Sequence, residues 1–140
     1  MTGIAIHGFG RIGRSTLRAA LQRDLFVSSC ISDIAQLETM AALFAVDTSY
    51  GLWPEAVAAS DEKLWVGDRK IAYLNTSQDL PDWSSLGIEL VIDCTGQATV
   101  RKKAQAHLDK GAKKVLVSAA SKTVTDCDAV LPPGINLESY

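Results

Sequence analysis

The sequence has little of what marks secreted, membrane or nucleic-acid-binding proteins. Its 14 Lys and Arg against 16 Asp and Glu leave a formal net charge of -2, so no basic excess supports binding to nucleic acid. No apolar run approaches the roughly 18 residues that span a bilayer. The segment Met1-Thr2-Gly3 lacks the basic and apolar regions of a signal peptide. We therefore expect a cytoplasmic protein with no nucleic-acid or membrane partner.

Cysteine is also scarce. The three cysteines, Cys30, Cys94 and Cys127, form an odd and widely spaced set without a Cys-x-x-Cys motif. Such a set fits neither a disulfide framework nor a zinc site. We expect buried free thiols.

The composition is otherwise that of an ordinary globular domain. Apolar residues make up 47% of the 140 residues and charged residues 21%, with only 4 prolines. A chain of this length buries roughly 68% of its unfolded surface, which is enough for a hydrophobic core. We expect one domain over residues 1–140.

Apolar runs alternate with amphipathic stretches along the chain. Buried strands are predicted over residues 3–7, 26–31, 90–93 and 114–118. Helices are predicted over residues 11–23, 34–46 and 100–110, with Thr99 as the N-cap of the third. The buried side of the second helix is expected to contain Leu37, Met40, Ala41, Leu43 and Phe44. This alternation favours an α/β fold with a doubly wound, mostly parallel sheet of the Rossmann type.

The middle of the chain has a different pattern. Residues 63–66 and 69–74 are two short apolar runs that flank a Gly67-Asp68 turn. We predict a small antiparallel hairpin insertion in the otherwise parallel sheet.

The segment Gly8-Phe9-Gly10-Arg11-Ile12-Gly13 fits the pattern G-x-G-x-x-G. It follows a predicted strand and opens a predicted helix, which is the context of a dinucleotide fingerprint. Gly8 permits the tight turn, Gly10 lets the backbone approach a pyrophosphate, and Gly13 lets the helix lie close to the sheet. Free N–H groups and the helix dipole favour phosphate there. The alternative is a glycine turn that only joins strand to helix.

Asp33 ends the second predicted strand, about twenty residues after the glycine motif, where the fingerprint places an acid. Its carboxylate can accept both ribose hydroxyls and would repel the additional phosphate of NADP, so NAD is the predicted cofactor. An aspartate at a strand end can also cap the following helix, and the two roles are compatible.

Two further segments, Asp93-Cys94-Thr95-Gly96 and Ser118-Ala119, follow later strands at the edge where open α/β sheets bind ligands. Cys94 is interpreted as a packing residue, because the sequence places no histidine to activate it. His7 is expected to border the pocket, and His107 is expected to be a solvated or helix-end residue.

Motifs of one known family run through the whole chain in order. They are Ile6-His7-Gly8-Phe9-Gly10-Arg11-Ile12-Gly13-Arg14, Ser32-Asp33, Asp47-x-Ser49-x-Gly51, Cys94-Thr95-Gly96, His107-Leu108-x-x-Gly111-Ala112-Lys113-Lys114-Val115, Ser118-Ala119-x-Ser121 and Gly134-Ile135-Asn136. In this order they resemble the amino-terminal half of the glyceraldehyde-3-phosphate dehydrogenase family. The resemblance implies the NAD-binding domain of a homotetrameric enzyme. That enzyme oxidises an aldehyde phosphate through a cysteine thiohemiacetal and passes hydride to nicotinamide.

The resemblance also implies a set of cofactor-binding residues. These are Gly8, Phe9, Gly10, Arg11, Ile12, Asp33, Cys94, Thr95, Gly96, Ser118 and Ala119. The glycine segment would meet the pyrophosphate through its backbone, and Asp33 would hold the adenosine ribose. The segments at 94–96 and 118–119 would flank the adenine and nicotinamide sides of the groove. No metal ligand is implied.

Several positions depart from the family pattern and indicate a divergent member. His7 and Ser32 replace asparagines, Cys94 replaces a serine, Ala98 replaces an aromatic residue, and Tyr50 replaces a histidine. An arginine expected near the adenine is missing around residues 76–78.

The catalytic cysteine and histidine of the family belong to segments beyond Tyr140. Cys127 does not replace that cysteine, because Asp126 and Asp128 oppose thiolate formation. We therefore predict a cofactor domain that is inactive without the catalytic domain. Two alternatives are a non-catalytic nucleotide-binding module and the cofactor domain of an enzyme similar to erythrose-4-phosphate dehydrogenase.

Overall fold

A computed structural model describes residues 3–26 and 28–139. The helices are α1 (Arg11–Gln22), α2 (Leu37–Ala45) and α3 (Arg101–Asp109). The strands are β1 (Gly3–His7), β2 (Cys30–Asp33), β3 (Val46–Asp47), β4 (Gly51–Leu52), β5 (Val57–Ser60), β6 (Lys63–Val66), β7 (Arg69–Asn75), β8 (Ile88–Asp93) and β9 (Lys114–Val117). A 3-10 turn, Leu137–Ser139, follows.

Seven strands form one sheet in the order β5-β6-β7-β2-β1-β8-β9. The five strands from β7 to β9 in this order are parallel to one another, and β5 and β6 pair in antiparallel fashion. One core cluster joins Ile6 of β1 to Leu17 of α1 and Phe44 of α2. A second joins Ala5 of β1 to Trp83 and Ala112. Because successive residues of a strand point to opposite faces, both faces of the sheet are covered. The predicted doubly wound, mostly parallel α/β fold is confirmed.

The predicted hairpin is present as β6 and β7, but it is more than an insertion. Strand β7 also pairs in parallel with β2, through Cys30 opposite Ala72 and Asp33 opposite Asn75. Strand β7 is therefore one of the five parallel strands of the sheet. Strands β6 and β5 follow it at the antiparallel edge. A separate two-stranded sheet, β3 and β4, follows α2. The turn residues Gly67 and Asp68 predicted the hairpin, but a local signal does not indicate that β7 pairs with β2.

Strand β2 begins at Cys30, later than the strand predicted over residues 26–31. Val27, which belongs to that prediction, lies outside the described residues. Before β2, the Ser28 hydroxyl donates a hydrogen bond to the Cys30 carbonyl oxygen at 2.7 Å. This local bond competes with regular strand pairing.

Helix α2 also begins later than predicted. Its first residue is Leu37, because the Asp33 carboxylate accepts the Ala35 N–H at 2.9 Å and holds residues 33–35 in a turn. Ala41 and Phe44 are buried as expected, whereas Leu43 is 42% exposed. The prediction that Leu43 is buried was wrong, since its position faces away from the sheet.

Helix α3 begins at Arg101, with Val100 as its N-cap and no capping side chain at that position. Thr99 is not the cap that the sequence predicted. Instead, the Asp126 carboxylate accepts the Arg101 N–H at 2.9 Å. A residue distant in sequence therefore satisfies one of the free donors at this helix end. None of the helices in residues 3–26 and 28–139 is long and apolar enough to cross a membrane.

A buried arginine ties α1 to α2 and β4. Arg18 is 5% exposed, and its guanidinium donates to the carbonyl oxygens of Phe44 at 2.5 Å and Gly51 at 3.1 Å. The same group lies 5.4 Å from the centre of the Phe44 ring and 5.6 Å from that of Trp53. The contacts combine charge-assisted hydrogen bonds with cation–π attraction.

We expect Arg18→Met to lower the free energy of unfolding by about 2–4 kcal/mol, because the buried carbonyl group of Phe44 and the exposed residue Gly51 lose their donor. Urea denaturation followed by circular dichroism measures this loss. Arg23→Met, at an exposed position just after α1, is the matched control and should change stability by less than about 0.5 kcal/mol. Equal losses for the two variants would contradict the role given to Arg18.

Candidate functional site

The carboxyl ends of the parallel strands meet at one edge of the sheet, where a groove of about 530 Å³ opens. The register places His7 opposite Ser32 on one side and Asp93 on the other. Of the predicted cofactor-binding residues, five line the groove: Gly8, Gly10, Asp33, Cys94 and Thr95. The structure thus brings together the segments after β1, β2 and β8, in the location that open α/β sheets use for ligands.

Gly8 and Gly10 have different structural requirements. Gly8 has a φ of 87°, and a Cβ there would lie 2.8 Å from the Thr95 side chain and backbone. Gly10 is the N-cap of α1 with a φ of -69°, and a Cβ there would meet no atom within 4 Å. The chain itself therefore needs glycine at position 8, whereas at position 10 the space is open to a ligand.

The first turn of α1 presents donors at this open space. Arg11 and Ile12 begin the helix, so no helical carbonyl precedes them to accept their N–H groups. The first helical bond is that from the Arg14 N–H to the Gly10 oxygen, at 3.0 Å. Free N–H groups at a helix N-terminus, together with the helix dipole, form an anion site.

Gly13 allows α1 to lie directly on the turn. A Cβ at Gly13 would collide with the carbonyl oxygen of Gly8, which is backbone and cannot rotate away. This is the close approach that the sequence predicted for the third glycine.

Phe9, one of the predicted cofactor-binding residues, lies in the core and not in the groove. Its side chain is fully buried and stacks on Phe44 with ring centres 6.0 Å apart. Its N–H donates to Asp33 Oδ2 at 2.5 Å, so this donor is already used within the chain. Phe9 therefore contributes to the groove by orienting Asp33.

Asp33 is held by two backbone donors. Oδ2 accepts the Phe9 N–H and Oδ1 accepts the Ala35 N–H. A carboxylate has about four lone-pair sites, so acceptor capacity remains for a ligand. The helix-cap alternative does not apply in its simple form, because the N-cap of α2 is Gln36. The two bonds fix the direction of the carboxylate at the rim of the groove.

A buried polar group lies beneath the groove. His107 is 2% exposed, and its Nε2 lies 3.1 Å from Asp93 Oδ2. Trp83 donates its indole N–H to His107 Nδ1 at 3.1 Å. His107 lies in the last turn of α3, as the helix-end prediction has it, but the prediction that it is solvated was wrong. Its partners come from a loop and a strand distant in sequence, so the pattern of α3 alone could not identify them.

Asp93 is the acceptor of this group. Its Oδ1 takes the Thr95 N–H at 2.9 Å and the Thr95 hydroxyl at 2.6 Å. Burial opposes ionisation of Asp93, but the hydrogen bonds from His107 and Thr95 outweigh burial and hold the pKa of Asp93 below its usual value. Asp93 is thus an anion whose lone pairs are largely occupied.

His7 completes the group at the groove side. Its Nδ1 lies 2.8 Å from the Ser32 hydroxyl, and its ring centre lies 4.8 Å from that of His107 in an edge-to-face arrangement. Burial and the neighbouring His107 lower the pKa of His7, against smaller opposing effects of Asp93 and Asp33. The expectation that His7 borders the pocket is correct.

His7, Asp93 and His107 each offer a ligand atom within 4.8 Å of the others, as a metal site requires. The hydrogen bonding opposes that role. The indole of Trp83 can only donate, so Nδ1 of His107 is an acceptor and its Nε2 carries the proton that faces Asp93. A metal at Nε2 would displace that proton and break the Trp83 bond. The arrangement is that of a hydrogen-bonded network.

The other predicted residues lie around the groove without lining it. Gly96 is exposed with a φ of 73°, Ser118 is exposed, and Ala119 is half-buried. Arg11 and Ile12 are exposed at the start of α1.

The thiols differ from one another in burial. Cys30 is buried, but Cys94 and Cys127 are only half-buried, so the expectation of buried thiols is correct for Cys30 alone. Cys94 packs against the core cluster on the α1 side, as its interpretation as a packing residue requires. Burial raises the pKa of the Cys94 thiol, with hydrogen bonds to Ser118 and Thr16 acting in the opposite direction.

The pattern of strands and helices did not predict one wall of the groove, although the family resemblance placed residues 76–78 near the adenine. Thr76, Gln78, Asp79 and Leu80 follow β7 and line it, as do Lys103 and Ala106 of α3. The signal was available in principle, because a loop after a parallel strand lies at the ligand-binding edge. Treating β7 only as half of a hairpin concealed it.

Comparison with known proteins agrees with this geometry. Residues 2–101 match the family model described as glyceraldehyde 3-phosphate dehydrogenase, NAD binding domain. The chain belongs to this family. The resemblance drawn from the motifs is confirmed, and NAD is the cofactor of this domain.

Three curated relatives are named glyceraldehyde-3-phosphate dehydrogenase. The protein from Kitasatospora aureofaciens is 42% identical over 143 residues, which cover 100% of this chain and 42% of the relative. The protein from Chlamydia pneumoniae is 43% identical over 85% of this chain and 36% of its own length. The protein from Pseudomonas aeruginosa is 41% identical over 96% of this chain and 41% of its own length. The chain thus spans about two fifths of the relatives it matches.

Proposed function

We propose that this chain is the cofactor half of an NAD-dependent dehydrogenase that oxidises glyceraldehyde 3-phosphate. The observation that carries the proposal is the hydrogen bond from the Phe9 N–H to Asp33 Oδ2. It joins the glycine turn, suited to a pyrophosphate, to the carboxylate suited to a ribose. The two recognition elements of a dinucleotide therefore stand side by side in one groove.

In this proposal the pyrophosphate of NAD lies over Gly10, with the N–H groups of Arg11 and Ile12 as donors. The open space at Gly10 supports this placement, because the backbone there is accessible without any movement of the chain. Asp33 accepts the ribose hydroxyls with the lone pairs that Phe9 and Ala35 leave available. The segments Cys94–Gly96 and Ser118–Ala119 flank the remainder of the cofactor.

The chemistry of the whole enzyme comes from two sources. Bound NAD supplies the acceptor for the hydride that leaves the substrate. In the proposal, the thiol nucleophile and its activating base belong to a catalytic domain outside this chain. Cys94 is unsuited to that task, because burial raises its thiol pKa and it packs against the core. Assembly as a homotetramer in the cytoplasm is part of the same proposal.

Calorimetric titration of the chain with NAD and with NADP tests the cofactor assignment. We expect a single NAD site and much weaker binding of NADP, because Asp33 repels a 2′-phosphate. If neither NAD nor NADP gives binding heat, for a chain that circular dichroism shows to be folded, the proposal is overturned.

Asp33→Asn tests the role of the ribose carboxylate. The substitution keeps the size of the side chain but removes its charge and replaces one of the two oxygens that accept backbone N–H groups with an NH2 group, so we expect NAD affinity to fall by about tenfold or more, as a charge-assisted hydrogen bond is lost. The preference for NAD over NADP should narrow in the same titrations. Asp68→Asn, in the exposed turn between β6 and β7, is the matched control. An unchanged NAD preference in Asp33→Asn would remove this residue from the ribose site.

A further inference from the structure

His7 places a titratable ring in the floor of the groove, directly before the glycine turn. It is the last residue of β1, and it lines the groove together with Gly8 and Gly10. The proposed function assigns a pyrophosphate to this turn. The charge of His7 therefore bears directly on how strongly the groove attracts an anion.

The charged and titratable groups that face His7 come from three elements. Asp33 stands at the end of β2, Asp93 at the end of β8, and His107 on α3. Lys103 of α3 lines the same groove but is exposed. With His7 neutral, Asp33 and Asp93 oppose the entry of a diphosphate into the groove, and Asp79, paired with Lys110, adds a third carboxylate at the wall that follows β7.

Asp93 does not hold His7 in the charged state. Its two oxygens already accept the Thr95 donors and face the Nε2–H of His107. Both ring nitrogens of His107 are engaged, because Nδ1 accepts the Trp83 N–H and Nε2 faces the Asp93 oxygen. His7, by contrast, has the Ser32 hydroxyl as its one hydrogen-bond partner among residues 3–26 and 28–139, and this hydroxyl can accept from or donate to Nδ1. His7 is thus the ring of the pair that can gain a proton without loss of a hydrogen bond.

We propose that His7 determines the affinity of the groove for phosphate-bearing ligands through its own protonation. A diphosphate nucleotide then binds more tightly as the pH falls, and an uncharged nucleoside does not. This inference rests on the proposed function, since it takes the glycine turn as the phosphate site. Binding of the diphosphate and uptake of a proton by His7 are reciprocal, because each favours the other.

The stability of the fold depends on pH in the opposite direction, because it decreases as the pH falls. Burial and His107 lower the pKa of His7 from its usual value of 6.5, so the unfolded chain takes up this proton more readily than the folded chain. Stability contributed by neutral His7 is present above that value and decreases as the pH falls through 6.5 toward the lowered pKa. The ligand-free chain therefore holds His7 neutral near pH 7, and a bound anion draws the proton in.

The test is NAD titration of the chain and of His7→Asn between about pH 8 and about pH 5.5, the range in which histidine changes charge. Asparagine retains a hydrogen-bonding group for Ser32 and does not titrate. The chain is expected to bind NAD about threefold to fivefold more tightly at about pH 5.5 than at about pH 8, which is the effect of one added positive charge near the phosphates. His7→Asn should give no such slope.

Two further measurements separate the outcomes. Calorimetry in buffers of different ionisation enthalpy should register proton uptake with NAD and none with adenosine, which has no phosphate. The C2–H resonance of His7 should titrate at higher pH when NAD is present, which tests the unmodified chain even if His7→Asn fails to fold. An equal pH slope in folded His7→Asn, or an equal slope with adenosine, would overturn the inference. NAD binding without a slope would leave the proposed function standing, whereas no NAD binding at any pH would refute that function itself.

Discussion

Gly10→Val is expected to lower NAD affinity by about a hundredfold or more, because the side chain separates the phosphates from several backbone donors at once. The fold should persist. A Cβ at Gly10 meets no atom of the chain within 4 Å, and its φ of -69° is open to any residue. The space that valine would occupy is therefore the space that the proposed function gives to the ligand.

NAD titration and urea denaturation of the same sample measure the two effects separately. Valine is a poor N-cap and is expected to cost about 1 kcal/mol of stability on that account. Gly10→Ser is the matched control, because serine is a favourable N-cap yet still places a side chain over the turn. It should weaken NAD binding without loss of stability. Normal NAD binding in folded Gly10→Val would show that the phosphates lie elsewhere.

Gly13→Ala is expected to act on the fold, with a loss of about 3 kcal/mol or more in the free energy of unfolding, as overpacking against rigid backbone predicts. The new methyl group would collide with the Gly8 carbonyl oxygen, so α1 must move away from the turn. This loss would occur despite the higher helix propensity of alanine, which alone would add about 1 kcal/mol of stability.

Ala19→Gly, at an exposed position of the same helix, isolates the propensity effect and should cost about 1 kcal/mol. Urea denaturation of both variants makes the comparison. NAD affinity of Gly13→Ala should fall as well, since the helix that presents the donors is displaced. A Gly13→Ala chain as stable as the parent would contradict the close packing of α1 on the turn.

The sequence was sufficient for the features that depend on short-range spacing. The glycine turn, the start of α1 at Arg11 and the acid at position 33 lie within one β-α-β unit, where each residue type has a local physical reason. The same local reasoning failed where partners are distant. His107 is buried because Trp83 and Asp93 reach it from other parts of the chain. No periodicity within α3 contains that information.

Sheet neighbours were hard to predict for a similar reason. The turn between β6 and β7 is a local signal, but the pairing of β7 with β2 depends on the path of the whole chain. The later start of α2 follows from the bond between Asp33 and Ala35, a competition between a side chain and the helix for the same donor.

The bond between Phe9 and Asp33 has a consequence for the redesign of coenzyme preference. Any exchange at position 33 that removes the acceptor also leaves the Phe9 amide without its partner, in the loop that carries the adjoining recognition element. A variant intended to accept NADP therefore needs two changes together, a cation for the added phosphate and a new acceptor for that amide. Replacement of Asp33 alone would also disturb the glycine turn that binds the pyrophosphate in the proposed function.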